Sequence, residues 1–128
     1  MSYYFSKIVI DSFDEAVAKL TVALKEQGFG NLTEIDLKET LKKKFNIKFR
    51  RYKILGACSL PFSHTASTAE NKTVTMFPCD VIVQEISGGQ VKVTAIDPLA
   101  SVHAVENPKL MKFAGKIGRK LKTVIGRV

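Results

Sequence analysis

Two apolar runs on either side of a glycine pair constrain the fold of this chain most. Residues 74–86 and 90–96 are rich in valine, isoleucine and threonine, and Gly88 and Gly89 lie between them. Two runs of this composition around a two-residue glycine turn are typical of an antiparallel β-hairpin. The chain is therefore expected to contain a sheet with antiparallel strands in its C-terminal half.

A two-residue turn also predicts the register of this hairpin. It places Glu85 opposite Lys92, which is a favourable cross-strand pair. The same register places Asp80 opposite Asp97, and two facing carboxylates repel each other. We therefore expect a β-bulge near Cys79, with a bound cation or a raised pKa as the alternatives.

The N-terminal part reads as a strand followed by an amphipathic helix. Residues 3–10 are rich in aromatic and β-branched residues, which favours a strand. Ser12 and Glu15 form a capping box at the start of the helix, and Gly28 and Gly30 end it. Apolar residues at helical spacing give the helix one buried face: Phe13, Ala16, Val17, Leu20 and Leu24.

The remaining elements follow from similar local signals. Residues 32–35 predict a second strand, Asp36 caps a short helix that Asn46 closes, and residues 48–58 hold a third strand. Residues 59–73 are rich in turn-forming residues and predict a loop. A last helix begins at Pro108. The apolar stripe of this last helix consists of Leu110, Phe113, Ile117, Leu121 and Val124. The short helix has an apolar edge that consists of Leu37, Leu41 and Phe45.

These elements predict an α+β fold. Their order is β-α-β-(α)-β-β-β-α, with several strands following one helix, which favours a two-layer domain with a mainly antiparallel sheet and helices on one face. At 128 residues the chain fits one domain over residues 1–128. A chain of this length buries enough surface to fold without a disulfide or a metal.

Positive charge is concentrated in two blocks of the sequence. Twenty basic residues against twelve acidic ones give a formal net charge of +8, with basic residues crowded between residues 38 and 53 and after Glu106. Such fields attract nucleic acids, anionic membranes or acidic proteins, although a solvated cationic surface is the simpler interpretation. The candidate residues of this basic face are Lys42, Lys43, Lys44, Arg50, Arg51, Lys116, Arg119 and Lys120.

No apolar run approaches the length of a membrane span, and the N-terminus does not resemble a signal peptide. We therefore expect a soluble cytoplasmic protein, whose thiols are kept reduced.

Aromatic residues among the cations, such as Phe45 and Tyr52, are typical of single-strand nucleic-acid binders but fit core positions equally well. The basic last helix would suit an anionic membrane surface or would simply pack on the sheet.

The two cysteines mark the other candidate site. Cys58 ends the third predicted strand, and Cys79 lies within the fourth, so neighbouring strands would bring the thiols together. With His64 and Met76 they form a set of soft and imidazole ligands that suits copper or zinc, and a haem is a further alternative. The simplest interpretation remains two buried thiols that act as small hydrophobic residues.

Several segments in order resemble the domain of unknown function 302 family, across nearly the whole chain. They are residues 12–17, 32–38, 52–58, 78–83 and 96–98. The resemblance implies a TATA-binding-protein-like α+β fold and a homodimer, but no activity. Residues 59–61 and Phe77 depart from the family pattern, as does the stretch from His64 to Met76.

The sequence contains no Ser-His-Asp arrangement, phosphate-binding loop or dinucleotide fingerprint. We therefore expect a protein that binds a ligand, metal or cofactor near the cysteines rather than an enzyme. One alternative is an interaction module whose basic face contacts an anionic partner. Another is a thiol-dependent redox protein, which would need a cysteine with a depressed pKa.

Overall fold

The protein forms five strands and four helices over the residues that its computed structural model describes, which are 4–58, 80–102 and 108–128. The predicted α+β class and element order are confirmed, with one short helix added after the last strand. The strands are β1 (Tyr4–Val9), β2 (Gly30–Asp36), β3 (Tyr52–Cys58), β4 (Asp80–Glu85) and β5 (Val91–Ile96). The helices are α1 (Phe13–Glu26), α2 (Leu37–Phe45), α3 (Pro98–Val102) and α4 (Pro108–Arg127).

The five strands form one open sheet in the order β1-β5-β4-β3-β2, and all neighbours are antiparallel. Strands β2 to β5 follow one another as a meander. Helix α1 carries the chain across the sheet, so β1 lies at one edge beside β5 while β2 lies at the other edge. The first two strands of the sequence are therefore the two edges of the sheet.

One face of the sheet is covered by α1 and α4. Cross-strand partners share a face, and on this covered face Val81, Val83, Val93 and Ala95 have no exposed surface. Helix α1 contacts β4 and β5, and α4 contacts β1, β5 and α1. The sequence predicted one face of α1 as apolar, and Phe13, Ala16, Leu20 and Leu24 are buried there while Val17 is partly buried.

The opposite face, which we call the open face, keeps its side chains partly exposed. A row of residues crosses all five strands on it: Ser6, Thr94, Ile82, Ile54 and Ile35. Ile54 and Ile82 are half-buried, and Ile35 is 47% exposed. The isoleucines of this row are thus less buried than the apolar residues of the covered face.

The predicted helix caps are confirmed. The hydroxyl of Ser12 accepts a hydrogen bond from the Glu15 amide at 3.2 Å, and the Asp36 carboxylate accepts one from the Glu39 amide at 3.0 Å. Asn46 closes α2 in the left-handed conformation, with φ of 53°. Each contact satisfies a backbone group that the helix itself leaves unpaired.

The predicted register of the β4–β5 hairpin is wrong by one residue. Glu85 lies opposite Val91 rather than Lys92, and Lys92 lies opposite Gln84. The connection is a three-residue turn at 87–89, closed by a hydrogen bond of 2.8 Å from the Ile86 amide to the Gln90 carbonyl. This register pairs Val83 with Val93, so both lie on the covered face, whereas the two-residue turn would pair buried with open positions.

The expected facing pair of Asp80 and Asp97 therefore does not form in this ladder. Asp97 instead follows β5, and its carboxylate accepts a hydrogen bond of 3.0 Å from the Leu99 amide at the start of α3. This five-residue helix, Pro98–Val102, is not among the predicted elements. The predicted strand residues 74–79, and the expected bulge near Cys79, lie outside the described residues.

Helix α4 begins at Pro108, as predicted. Ile117, Leu121 and Val124 of its predicted stripe are buried, and the side chains of Leu110 and Phe113 lie outside the described part. Within the described residues, no helix has both the length and the hydropathy that a membrane crossing requires.

The turn geometry gives a direct test of the hairpin. Gly88 has φ of 78° and Gly126 lies in α4 without a positive φ, and a Cβ atom added at either position would meet nothing within 4 Å. Gly88→Ala should lower the free energy of unfolding by about 1 kcal/mol, because alanine disfavours the left-handed region. Gly126→Ala should raise it by about 0.5 kcal/mol through helix propensity. Urea unfolding measures both, and equal changes would contradict the assigned turn.

Candidate functional sites

The first candidate site lies where two inner strands of the sheet, β3 and β4, have their adjoining ends. Strand β3 ends at Cys58, whose backbone lies opposite Gly30 of β2. Strand β4 begins at Asp80, which lies opposite Gly56, and Cys79 directly precedes Asp80 in the sequence. Because β3 and β4 are antiparallel neighbours, the end of one and the start of the other lie side by side. The sequence-based premise that these two strands are neighbours is therefore correct.

The rest of this predicted site lies outside the described residues. His64, Met76 and Cys79 fall within residues 59–79, and the side chain of Cys58 is not described either. Among the side chains that the structure describes, there is no group of three or more His, Cys, Asp or Glu that would hold a metal ion. The copper, zinc and haem assignments thus remain predictions.

The basic residues of α2 form a second region, at its C-terminal end. Residues 42–48 are all exposed, in the sequence Lys-Lys-Lys-Phe-Asn-Ile-Lys. Lys42 donates a hydrogen bond of 2.8 Å to the Asn46 side chain, and Lys43 pairs with Glu39 at 3.6 Å. Both are exposed contacts that contribute little to stability. No acidic partner for Lys44 lies among the described residues.

Arg50 belongs to a different environment, a cluster on the open face. Its guanidinium lies 4.5 Å from the centroid of the Phe49 ring and 5.5 Å from that of Tyr52. The same group donates two hydrogen bonds, of 3.2 and 3.0 Å, to the side-chain oxygen of Gln84. Lys92 lies opposite Gln84 on β5, so this cluster contains two cations.

Arg51 serves the structure on the covered face. Its guanidinium lies 4.3 Å from the centroid of the Phe13 ring and 2.7 Å from a carboxylate oxygen of Asp14. It thereby joins the start of β3 to the start of α1. Because successive strand residues point to opposite faces, Arg50 and Arg51 do not share one binding surface.

The basic residues of α4 differ in their surroundings, because some contact the rest of the fold and others are exposed to solvent. Lys120 is partly buried and donates a hydrogen bond of 3.2 Å to the carbonyl of Gln27, the residue that caps the end of α1. Lys116 and Arg119 are exposed, and no acidic partner for them lies in the described part of the chain. Helix α4 contacts α1, α3, β1 and β5, whereas α2 contacts β2 and β3. The two basic blocks of the sequence therefore belong to two separate regions.

A shallow groove of about 520 Å³ lies between α1 and the end of α4. The ion pair of Glu26 and Arg127, at 2.8 Å, contributes two of its lining residues, and Val22 adds an exposed apolar side chain. This lining combines the paired Glu26 and Arg127 and a second cation, Lys19, with small apolar groups. It lacks the convergent polar groups that usually fix a small ligand.

Sequence reasoning missed two features that the structure brings out. It did not connect Phe49, Gln84 and Lys92 with Arg50, which lies two residues before the start of β3 and bonds to Gln84, the partner of Tyr52. It also assigned Phe45 to an apolar helix edge that fits a core position, yet this ring is 66% exposed. Leu37 and Leu41 on the same edge are half-buried, so the edge becomes more exposed toward the end of α2.

The difference between Lys120 and Lys116 is open to measurement. Lys120→Met should lower the free energy of unfolding by about 1 kcal/mol, because the Gln27 carbonyl loses a charged donor. Lys116→Met should change it by less than about 0.5 kcal/mol, as for other exposed positions. Chemical unfolding of both variants measures the difference, and equal values would show that the Lys120 contact does not stabilise the end of α1.

Comparison with known proteins agrees with this architecture. The chain is similar to an uncharacterised conserved DUF302 protein from Bacillus stearothermophilus whose crystal structure is known, with a TM-score of 0.91 and 23% identity. The match covers 99% of this chain and 98% of the other, and at this identity it shows the fold alone. A search of curated proteins finds no significant match. The family model described as domain of unknown function DUF302 matches residues 5–128, and the chain therefore belongs to the DUF302 family.

Proposed function

We propose that this protein binds a small ligand, a metal ion or a cofactor at the end of the sheet where strand β3 ends and strand β4 begins. The observation that carries the proposal is the pairing of Gly56 with Asp80, since it brings the Cys58 end of β3 beside the residue that follows Cys79. Two thiols at adjoining strand ends would be within reach of one bound group. We further propose that the protein works in the cytoplasm, where both thiols stay reduced.

The chemistry of the proposed site follows from its ligand types. Cys58 and Cys79 would act as thiolate ligands, with His64 and Met76 as auxiliary ligands. Thiolate and thioether groups favour copper(I), while two thiolates with an imidazole favour zinc. A haem held by cysteine or histidine is the alternative within the same proposal.

Native mass spectrometry, together with an absorption spectrum, tests this proposal on protein purified without chelator. We expect a bound mass or a chromophore in the wild-type protein, and its loss in both Cys58→Ser and Cys79→Ser, because each variant removes one thiolate. Met76→Leu should weaken binding if the thioether takes part. Met111→Leu is the matched control, since Met111 lies on α4 and is 41% exposed. An empty wild-type protein, with both cysteine variants folded normally, would contradict the proposal.

A homodimer is part of the same proposal. The open face of the sheet supports it, because Ile8 is 52% exposed and Ile35 is 47% exposed on that face. Exposed apolar area of this kind is stabilised when a second molecule removes it from water.

A second candidate function is binding of an anionic partner through the basic residues. The specific observation is that Lys44, Lys116 and Arg119 are exposed without an acidic partner among the described residues. Cations without such a partner in the described part of the chain are available to phosphates or carboxylates. The net charge of +8 would favour encounter with any polyanion.

Salt dependence tests this second function with a single-stranded oligonucleotide and with immobilised heparin as probes. Binding should fall steeply as salt rises, because each contacted phosphate releases a counterion. Replacing Lys116 and Arg119 by alanine should reduce the salt slope by about one for each residue that contacts a phosphate. Lys120→Met is a poorer binding variant, since it also disturbs the end of α1. Salt-independent binding, or no binding at low salt, would contradict this function.

A further inference from the structure

At the end of α2, two exposed apolar residues have lysines on both sides of them in the sequence. We define the α2 tip as residues 42–48, all of which are exposed. Phe45 is 66% exposed and Ile47 is 48% exposed, while Lys42, Lys43, Lys44 and Lys48 surround them in the sequence. Charge at a helix C-terminus complements the helix dipole, which accounts for the lysines but not for the exposed phenyl ring.

The backbone holds this tip in a defined shape. Asn46 adopts the left-handed conformation, and its amide donates a hydrogen bond of 3.1 Å to the Lys42 carbonyl. The Ile47 amide donates one of 3.2 Å to the Leu41 carbonyl. Phe45 and Ile47 therefore flank a closed turn rather than a frayed end. Their exposure is a property of the folded chain.

The tip is exposed although α2 lies against the sheet. Helix α2 contacts β2 and β3, yet none of its residues is buried. On its apolar edge Leu37 and Leu41 are half-buried, and Phe45, one turn further on, is largely exposed. Exposed apolar side chains among lysines suit a surface into which the apolar groups can insert while the charges stay at its polar boundary.

We propose that the α2 tip binds the surface of membranes that contain anionic lipids. Phe45 and Ile47 would enter the boundary between headgroups and acyl chains, while the lysines would contact the anionic headgroups. This proposal rests on the second function above and names its partner and its surface. It is independent of a ligand at Cys58.

Charge and shape favour this partner over the others. A second copy of the tip would bring lysines against lysines, and this repulsion opposes a symmetric contact through it. Single-stranded nucleic acid would stack on Phe45 but would gain little from Ile47, which offers no aromatic surface. A lipid surface removes both apolar side chains from water and neutralises the surrounding cations.

The chain contains no tryptophan, so Phe45→Trp places a single fluorescent reporter in the tip. With vesicles of phosphatidylcholine and phosphatidylserine, its emission should shift to the blue and should be quenched by lipids brominated on their acyl chains. With phosphatidylcholine alone, neither change should occur. Unchanged emission with anionic vesicles, or emission that lipid brominated in the acyl region does not quench, would overturn insertion of the tip.

Vesicle sedimentation separates the apolar and charged contributions. The double variant Phe45→Ser, Ile47→Ser should lower the partition coefficient on anionic vesicles by at least about tenfold. The triple variant Lys42→Ala, Lys43→Ala, Lys44→Ala should lower it about a hundredfold, since each lysine near the surface contributes about fivefold. All five positions are exposed, so these variants should keep the circular dichroism spectrum and unfolding midpoint of the wild-type protein.

A matched control removes the same charge from lysines outside both proposed binding regions. Lys25 on α1 and Lys112 and Lys122 on α4 are exposed, and their triple alanine variant should retain most of the vesicle binding. Equal losses in the two triple variants would overturn the proposal, because they would indicate a response to net charge alone. A dimer in sedimentation velocity that the Phe45→Ser, Ile47→Ser variant dissociates would also overturn it in favour of self-association.

The outcome is distinguishable from failure of the second function itself. If the wild-type protein binds the oligonucleotide with a steep salt dependence but ignores anionic vesicles, the second function stands and the membrane assignment fails. If it binds neither probe at low salt, both fail. Binding to vesicles that is lost in the Phe45→Ser, Ile47→Ser variant supports the membrane assignment specifically.

Discussion

Alternation of buried valines along β4 and β5 is the constraint on which the rest of the fold depends. Val81 and Val83 lie opposite Ala95 and Val93, and all four are fully buried beneath α1 and α4. Because strand side chains alternate between faces, a slip of one residue would bring half of these positions to the open face. Burial of this row therefore fixes the register, and the turn at 87–89 takes the length that the register requires.

This hierarchy explains which features the sequence could predict. The caps at Ser12 and Asp36 were predictable, because each depends on residues three positions apart. The hairpin was predictable as an element, but its register was not. The glycine pair favours a two-residue turn, whereas burial of the alternating valines requires the register that a three-residue turn provides. Long-range contacts such as that of Lys120 with Gln27 carry no local signal and became visible only when α1 and α4 were brought together.

The environments of the basic residues were also not predictable from the sequence, because they depend on contacts between distant segments. In the sequence Arg50 and Arg51 look equivalent, yet just before β3 one bonds to Gln84 on the open face and the other to Asp14 on α1. Likewise Phe45 continues the apolar spacing of Leu37 and Leu41. Spacing identifies a helix edge, but only the angle between α2 and the sheet decides how far along that edge contact extends.

Helix α2 begins beside one end of β3, and the first candidate site lies at the other end of this strand. Helix α2 begins after Asp36, which pairs with Lys53 near the start of that strand, whereas Cys58 ends it. Five residues separate Lys53 from Cys58, or roughly 17 Å of extended chain. No charge or hydrogen bond described in the structure links the two ends directly. Strand β3 is paired on both sides, by β2 and β4, so it is a rigid spacer between them. The Cys58 end of β3 is therefore held at a fixed distance from the start of α2, and a ligand at the cysteines can be tested separately from the membrane contact of the α2 tip.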